Sequence, residues 1–147
     1  MAAIREAHVE WNGDLASGAG AVTASTSQAF SDLPVTWGSR TQEPDGRTSP
    51  EELIAAAHAS CYSMALSGGL ARAGTPGEHL SVSATVTFDQ VDGSWTVVSS
   101  ALKVTGIVPG IDTASFQQAA EGAKDGCPIS RALKGNVVLS VEATLEG

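Results

Sequence analysis

The residues in this 147-residue chain best suited to covalent or redox chemistry are its two cysteines, Cys61 and Cys127. A thiolate is both a nucleophile and a metal ligand, so three readings are open: two inert buried thiols, a metal site, or a redox pair. Cys61 lies in Ala57-His58-Ala59-Ser60-Cys61-Tyr62-Ser63-Met64, within a stretch from Glu51 to Gly69 that holds no Lys or Arg. A thiol buried in such a helix has a raised pKa and stays inert unless a cation arrives from elsewhere. A plain packing cysteine is the competing reading. Cys127, in Gly126-Cys127-Pro128-Ile129-Ser130, stands between a helix-ending glycine and a helix-opening proline. A thiol there meets unpaired backbone N–H groups and the positive end of a helix dipole, both of which favour the thiolate. The bland alternative is a cysteine serving as a poor N-cap. His58 and Cys61, three apart on one helix face, have a spacing that could chelate zinc, but His8, His79 and Cys127 supply no recognisable second half. A satisfied core histidine is the better reading, and no metal or cofactor is expected. No Cys-x-x-Cys is present, so a thioredoxin-like site is not expected.

The elements that carry these residues can be read from periodicity and punctuation. Ala7, Val9 and Trp11 alternate before Asn12-Gly13, a hairpin signal, and Gly18, Gly20, Val22 and Ala24 continue as a second strand. A short strand is expected over Leu33 to Trp37, then a loop over Thr41 to Ser49 that contains Pro44 and Asp45-Gly46. Ser49 as N-cap, Pro50 at the first helical position and Glu52 three after the cap open a helix that runs to about Arg72. Its run from Leu53 to Leu66 is apolar nearly all round, which predicts burial on several sides. Val82, Ala84, Val86 and Phe88 alternate into an Asp92-Gly93 turn. The returning strand shifts phase near Ser99-Ser100, as a bulge would make it do. Asp112 caps a helix ending at Gly126, Pro128 opens a short one closing at Gly135, and Val137 to Leu145 alternates as the last strand. The expectation is one α+β domain over 1–147, with a largely antiparallel sheet and a long central apolar helix. A helix with no polar face is more than one small domain can cover, so a homodimer is expected.

Composition narrows the partners. Sixteen acidic residues against eight basic ones give a net charge of −8, which repels phosphate backbones and anionic lipid. Neither nucleic acid nor membrane is expected as a partner. No run of about twenty apolar residues stands out as a membrane span, and Met1 to Glu10 lacks the apolar stretch of a secretory signal. The expected location is therefore cytoplasmic. A static structural disulfide would not persist in that reducing compartment.

The stretch Thr48-Ser-Pro-Glu-Glu-Leu-Ile-Ala-Ala-Ala-His-Ala-Ser-Cys-Tyr-Ser-Met-Ala-Leu resembles the central-helix signature of the OsmC/Ohr family of hydroperoxide reductases. Val108-Pro-Gly-Ile-Asp and Gly126-Cys-Pro-Ile-Ser match its second region, and the hairpin ending in Glu10-Trp-Asn-Gly-Asp is similar as well. The resemblance implies an intertwined homodimer, a peroxidatic cysteine at Cys61, a resolving cysteine at Cys127, and an Arg–Glu pair beside the thiolate. The acid maps to Glu51, while Glu52 falls at the capping-box position. For the arginine, the Ohr branch carries it in the first hairpin, where this chain offers only Arg5. The OsmC branch carries it in a setting that Ser39-Arg40 matches, so Arg40 is assigned, with Arg47 as the fallback. Read from their own surroundings alone, Arg40 is a solvated loop charge and Glu51 a first-turn acid on the helix dipole.

What the resemblance implies chemically is a cysteine-dependent peroxidase. Arg40 holds Cys61 as thiolate and Glu51 fixes the guanidinium. The thiolate cleaves an organic hydroperoxide to an alcohol, Cys127 closes a disulfide with the resulting sulfenic acid, and an external dithiol, of lipoyl type in the Ohr branch, reopens it. Glu51 and Cys61 lie ten residues apart, about 15 Å along a helix, so Arg40 and Glu51 of one chain are expected to serve Cys61 of the partner. The alternative class is a non-enzymatic dimeric stress protein that binds an apolar small molecule and carries oxidation-sensitive cysteines.

Overall fold

Alternation around Val9 and Trp11 pairs β1 (His8–Asn12) antiparallel with β2 (Ala19–Thr23), and β3 (Leu33–Val35) adds to the far side of β2. The computed structural model, which describes residues 1–147, gathers the chain into two units, Met1–Leu53 and Ile54–Gly147. The first holds this three-stranded sheet and a short helix, α1 (Trp37–Thr41). The expected two-residue turn at Asn12-Gly13 is instead a longer loop over 13–18, because Asp14 accepts from the N–H and hydroxyl of Ser17 and from the N–H of Gly18. The strand expected to reach Trp37 stops at Val35. There Thr36 and Ser39 cap each other's backbone N–H groups and start α1.

The long helix α2 (Pro50–Arg72) starts where its cap chemistry says it should: the Glu52 N–H donates to the Ser49 hydroxyl at 3.1 Å. At 23 residues it is also long and apolar enough to cross a bilayer by length and composition, which corrects the expectation that no such helix exists. Within Ile54–Gly147, however, its stripe of His58, Tyr62, Leu66 and Leu70 is buried against protein. The spacing of four places these side chains above one another on a single face. Burying each leucine in that stripe stabilises the fold by about 1.5–3 kcal/mol. Ala56, Ala57 and Met64, on the other side of the helix, stay exposed.

The second sheet orders β4 (His79–Val91), β5 (Ser94–Ile107) and β6 (Val138–Leu145). β4 and β5 form the long antiparallel hairpin that the sequence predicts, turned at Asp92 and Gly93, both at positive φ. Thr87 faces Ser99 and Phe88 faces Val97, so Val98 is the extra residue of a bulge just ahead of the expected phase shift. β6 pairs with β5 in parallel, and the crossover this requires is made by α3 (Thr113–Gly126) and α4 (Pro128–Leu133). Asp112 caps α3 through the Ser115 N–H at 2.7 Å. Phe116, Ala120 and Ala123 of α3 join Leu102, Val104, Val108 and the α2 stripe in the core. Gly106 in β5 makes room for Phe116, whose ring would lie 2.7 Å from a Cβ at that position.

Candidate active site

Arg40 and Glu51 meet within the first unit. Arg40 stands in the last turn of α1, and its Nε donates to Glu51 Oε1 and Oε2 at 2.9 and 3.2 Å, with Nη2 2.9 Å from Oε1. The guanidinium lies 5.8 Å from the centre of the Trp37 ring. Local bonding explains why the two charges meet. The Ser39 hydroxyl donates to the Thr48 carbonyl and the Thr48 N–H to that of Pro34, which draws the loop back against β3. Glu51, in the first turn of α2, is buried, whereas the Arg40 side chain remains 31% exposed. The fork geometry is that of a positioned guanidinium. Arg47, the fallback, is paired instead with Asp45 at 3.2 Å. Glu52 accepts from the Thr48 hydroxyl, a role in the helix entry.

The two thiols meet within the second unit. Cys61 is partly exposed and Cys127 fully buried, both are free, and each thiol influences the ionisation of the other. Burial, reinforced by the neighbouring Cys127 sulfur, pushes the Cys61 thiol above the ordinary cysteine range, against a weaker pull from the Ile129 N–H. At Cys127 burial also opposes ionisation. The hydrogen bond from Cys61, the Ser130 N–H and hydroxyl and the Ile129 N–H together outweigh it and bring the thiol below that range. Cys127 does stand at the N-cap position of α4, although its side chain closes no capping hydrogen bond. Met64, Ala65, Ile111, Ala119, Ala123 and Gly126 line part of a groove of about 710 Å3, to which neither cysteine contributes.

His58 is a satisfied core histidine. It is fully buried, with Nδ1 2.6 Å from the Ser100 hydroxyl and Nε2 2.8 Å from that of Ser130. Both ring nitrogens are therefore occupied, and burial holds its pKa below the usual histidine value. The sequence reading missed Ser100 and Ser130. A serine hydroxyl gives no local sign of a partner that lies far along the chain, although Ser100 does sit where the strand alternation breaks.

Comparison with known proteins decides the family. The OsmC-like protein family model matches residues 43–142, and peroxiredoxin OsmC of Escherichia coli (strain K12) is 38% identical over 138 residues, covering 94% of this chain and 95% of that protein. The chain belongs to the OsmC-like family. An organic hydroperoxide resistance protein of Xanthomonas axonopodis pv. citri is 35% identical over 92 residues, 61% of this chain and 62% of its own. Among solved OsmC-like structures, the organic hydroperoxide resistance protein OhrB of Bacillus subtilis has a TM-score of 0.73 at 23% identity, covering 95% of this chain and 98% of that one. The OsmC like protein of Mycoplasma pneumoniae reaches 0.74 at 14% identity, with 99% of each chain covered. At those identities the likeness is one of fold, and it agrees with the α+β architecture read from the sequence.

Proposed function

We propose that this OsmC-like chain is a thiol-dependent peroxidase that reduces organic hydroperoxides to alcohols. The observation that carries the reading is a partly exposed thiol packed against the core cluster that holds a buried one, in a chain related to proteins named peroxiredoxin and organic hydroperoxide resistance protein. Cys127 is the more easily ionised, but a hydroperoxide cannot reach a fully buried sulfur, so Cys61 takes the peroxidatic role. Its raised pKa calls for a cation, and Arg40, held by Glu51, is the proposed source. The Cys61 thiolate attacks the distal peroxide oxygen; the O–O bond breaks, the alcohol leaves with a proton, and sulfur becomes sulfenic acid. Cys127 then attacks that sulfur, forming the S–S bond and releasing hydroxide, which is protonated to water. A dithiol, of lipoyl type or similar, reopens the disulfide by exchange.

The working unit proposed is a cytoplasmic homodimer of single 1–147 domains. The exposed apolar side of α2, with Met64 72% exposed, supports it. Arg40 and Glu51 of one chain would serve Cys61 of its partner, since ten residues of helix separate Glu51 from its own Cys61 by about 15 Å. The first test compares turnover of cumene hydroperoxide, hydrogen peroxide and a lipid hydroperoxide by wild type and Cys61→Ser. Equal slow loss of peroxide in both would leave the non-enzymatic binding role in its place. The shared site is tested by mixing Arg40→Ala with Cys61→Ser under conditions of subunit exchange. Activity should return, because each mixed dimer has one intact site. Persistent inactivity with exchange confirmed by mass spectrometry would refute the sharing.

A further inference from the structure

Two buried hydrogen bonds that the peroxide chemistry does not use bracket the two cysteines. His58 stands three residues before Cys61 on α2, and its Nε2 lies 2.8 Å from the hydroxyl of Ser130, three residues after Cys127 on α4. Tyr62 directly follows Cys61, and its hydroxyl donates at 3.0 Å to the carbonyl of Ala120 on α3, seven residues before Cys127. Cys127 is the residue between α3 and α4. The α3–α4 corner that carries it is therefore pinned to α2 on both sides of Cys61.

The two pins do different work. Phe116, Ala120 and Ala123 place α3 in the same core cluster as Tyr62, so packing holds that helix as well. By contrast, α4 has only six residues, and Pro128, Arg131 and Ala132 on its outer side are exposed. A helix this short has little stability of its own, so a tertiary bond must fix where its first turn sits. The His58–Ser130 bond is placed to do so. The other ring nitrogen, Nδ1, lies 2.6 Å from the hydroxyl of Ser100 on β5, which keeps the ring from turning. His58 and both serines are buried, and every buried polar side-chain atom has a partner. A buried polar network that is fully satisfied rigidifies the core and selects one arrangement of it.

We propose that His58 is the positioning residue of the disulfide step: through Ser130 it holds the first turn of α4, and with it the Cys127 sulfur, within reach of Cys61. This role rests on the Cys61–Cys127 pairing proposed above. In that step the Cys127 sulfur attacks the Cys61 sulfenic acid, the S–S bond forms, the S–O bond breaks, and the hydroxyl leaves as water with the Cys127 proton. Both His58 nitrogens are engaged by serines, so the ring exchanges no proton with either sulfur. What it supplies is proximity. A disulfide tolerates a narrow range of Cα and Cβ separations, so a displacement of about 1 Å in α4 is felt in the rate and in the equilibrium.

The test measures the effective concentration of the two thiols, from the fraction of intramolecular disulfide in dithiothreitol redox buffers of graded poise. Melting curves of the reduced and oxidised forms accompany it, and no peroxide is used. His58→Gln and His58→Asn separate the two bonds, because a glutamine amide reaches where Nε2 lies and an asparagine amide only where Nδ1 lies. His58→Gln should stay within about twofold of wild type, whereas His58→Asn and Ser130→Ala should each lower the effective concentration about tenfold, or about 30 mV in the disulfide potential. The double variant should fall no further than either single one, since both cut the same bond. Tyr62→Phe should have a smaller effect, because packing also holds α3. If His58→Asn does not fold, Ser130→Ala, which leaves the ring in place, decides the matter.

A bond that serves stability alone would lower the melting of both forms alike and leave the effective concentration unmoved, and that result overturns the proposal. Equal losses in the glutamine and asparagine variants would overturn it too. A wild-type chain that forms no intramolecular disulfide would remove the pairing and the positioning role together. The expected split between the variants, found in a chain that turns over no peroxide, would instead uphold the positioning role and count against the peroxidase reading.

Discussion

The molecule carries two reactive pairs built in opposite ways. Arg40 and Glu51 are eleven residues apart, joined through α1, a tied-back loop and the first turn of α2, and the guanidinium is still partly in water. Cys61 and Cys127 come from distant parts of the sequence, and their contact depends on α2, α3 and α4 packing around one core. The first pair is a charge device that a short piece of chain assembles by itself. The second is a low-dielectric device, in which burial raises one thiol and nearby donors lower the other. A held cation and a thiol in need of one are complementary requirements, and the helix length between Glu51 and its own Cys61 is the physical basis of the shared-site proposal.

If the comparison is right, damage to the thiol pair removes chemistry before it removes stability. Cys61→Ser should abolish peroxide turnover completely in a coupled assay while melting within a few degrees of wild type. Cys127→Ser should react once, then accumulate sulfenic and over-oxidised acid by mass spectrometry, whereas wild type loses two hydrogens as one intramolecular disulfide. A disulfide-linked dimer on a non-reducing gel would contradict the pairing.

Damage to the charge device should affect both properties. Arg40→Ala should slow turnover about a hundredfold, in line with the loss of one preorganised electrostatic donor. It should also cost about 1–2 kcal/mol, since a buried carboxylate is left while its partner was only part-buried. Arg40→Lys keeps the charge but not the fork, so intermediate turnover is expected. Loss of activity with unchanged stability would mean that the ion pair does not hold Glu51 in place.

The core beneath the thiols offers a control that touches neither pair. Gly106→Ala would push a Cβ into the buried Phe116 ring and should destabilise by about 1–3 kcal/mol in chemical denaturation, with peroxide chemistry retained in the folded fraction.

The smallest effect concerns acid. His58 has a folded pKa lowered by burial, so below about pH 6.5 the unfolded chain binds a proton that the folded one refuses. The stability associated with keeping His58 neutral is complete above that value and declines as pH falls below it. His58→Gln should flatten this part of the stability profile between pH 7 and 5. An unchanged slope would mean that the histidine does not set it.

Much of this was legible in the residues because the signals are local. Ser49-Pro50 and Asp112 sit where helices begin, Asp92-Gly93 turns the long hairpin, and Gly126-Cys127-Pro128 separates two helices, each for a reason contained in a few neighbouring residues. The family could be read in the same way, because its motifs are contiguous. Sequence also established that Cys61 has no cation on its own helix segment. What only the tertiary structure decided are the relations across the chain: the parallel pairing of β6 on β5, the packing of Cys61 against the core cluster that holds Cys127, and the two serines that occupy His58. The helix α1 lies between these cases, since its capping box was present in Thr36 and Ser39 but was outweighed by the strand-like run before it. Hydrogen bonds and pKa shifts depend on which groups share a dry space, and in a folded chain that is set by packing between elements far apart in sequence.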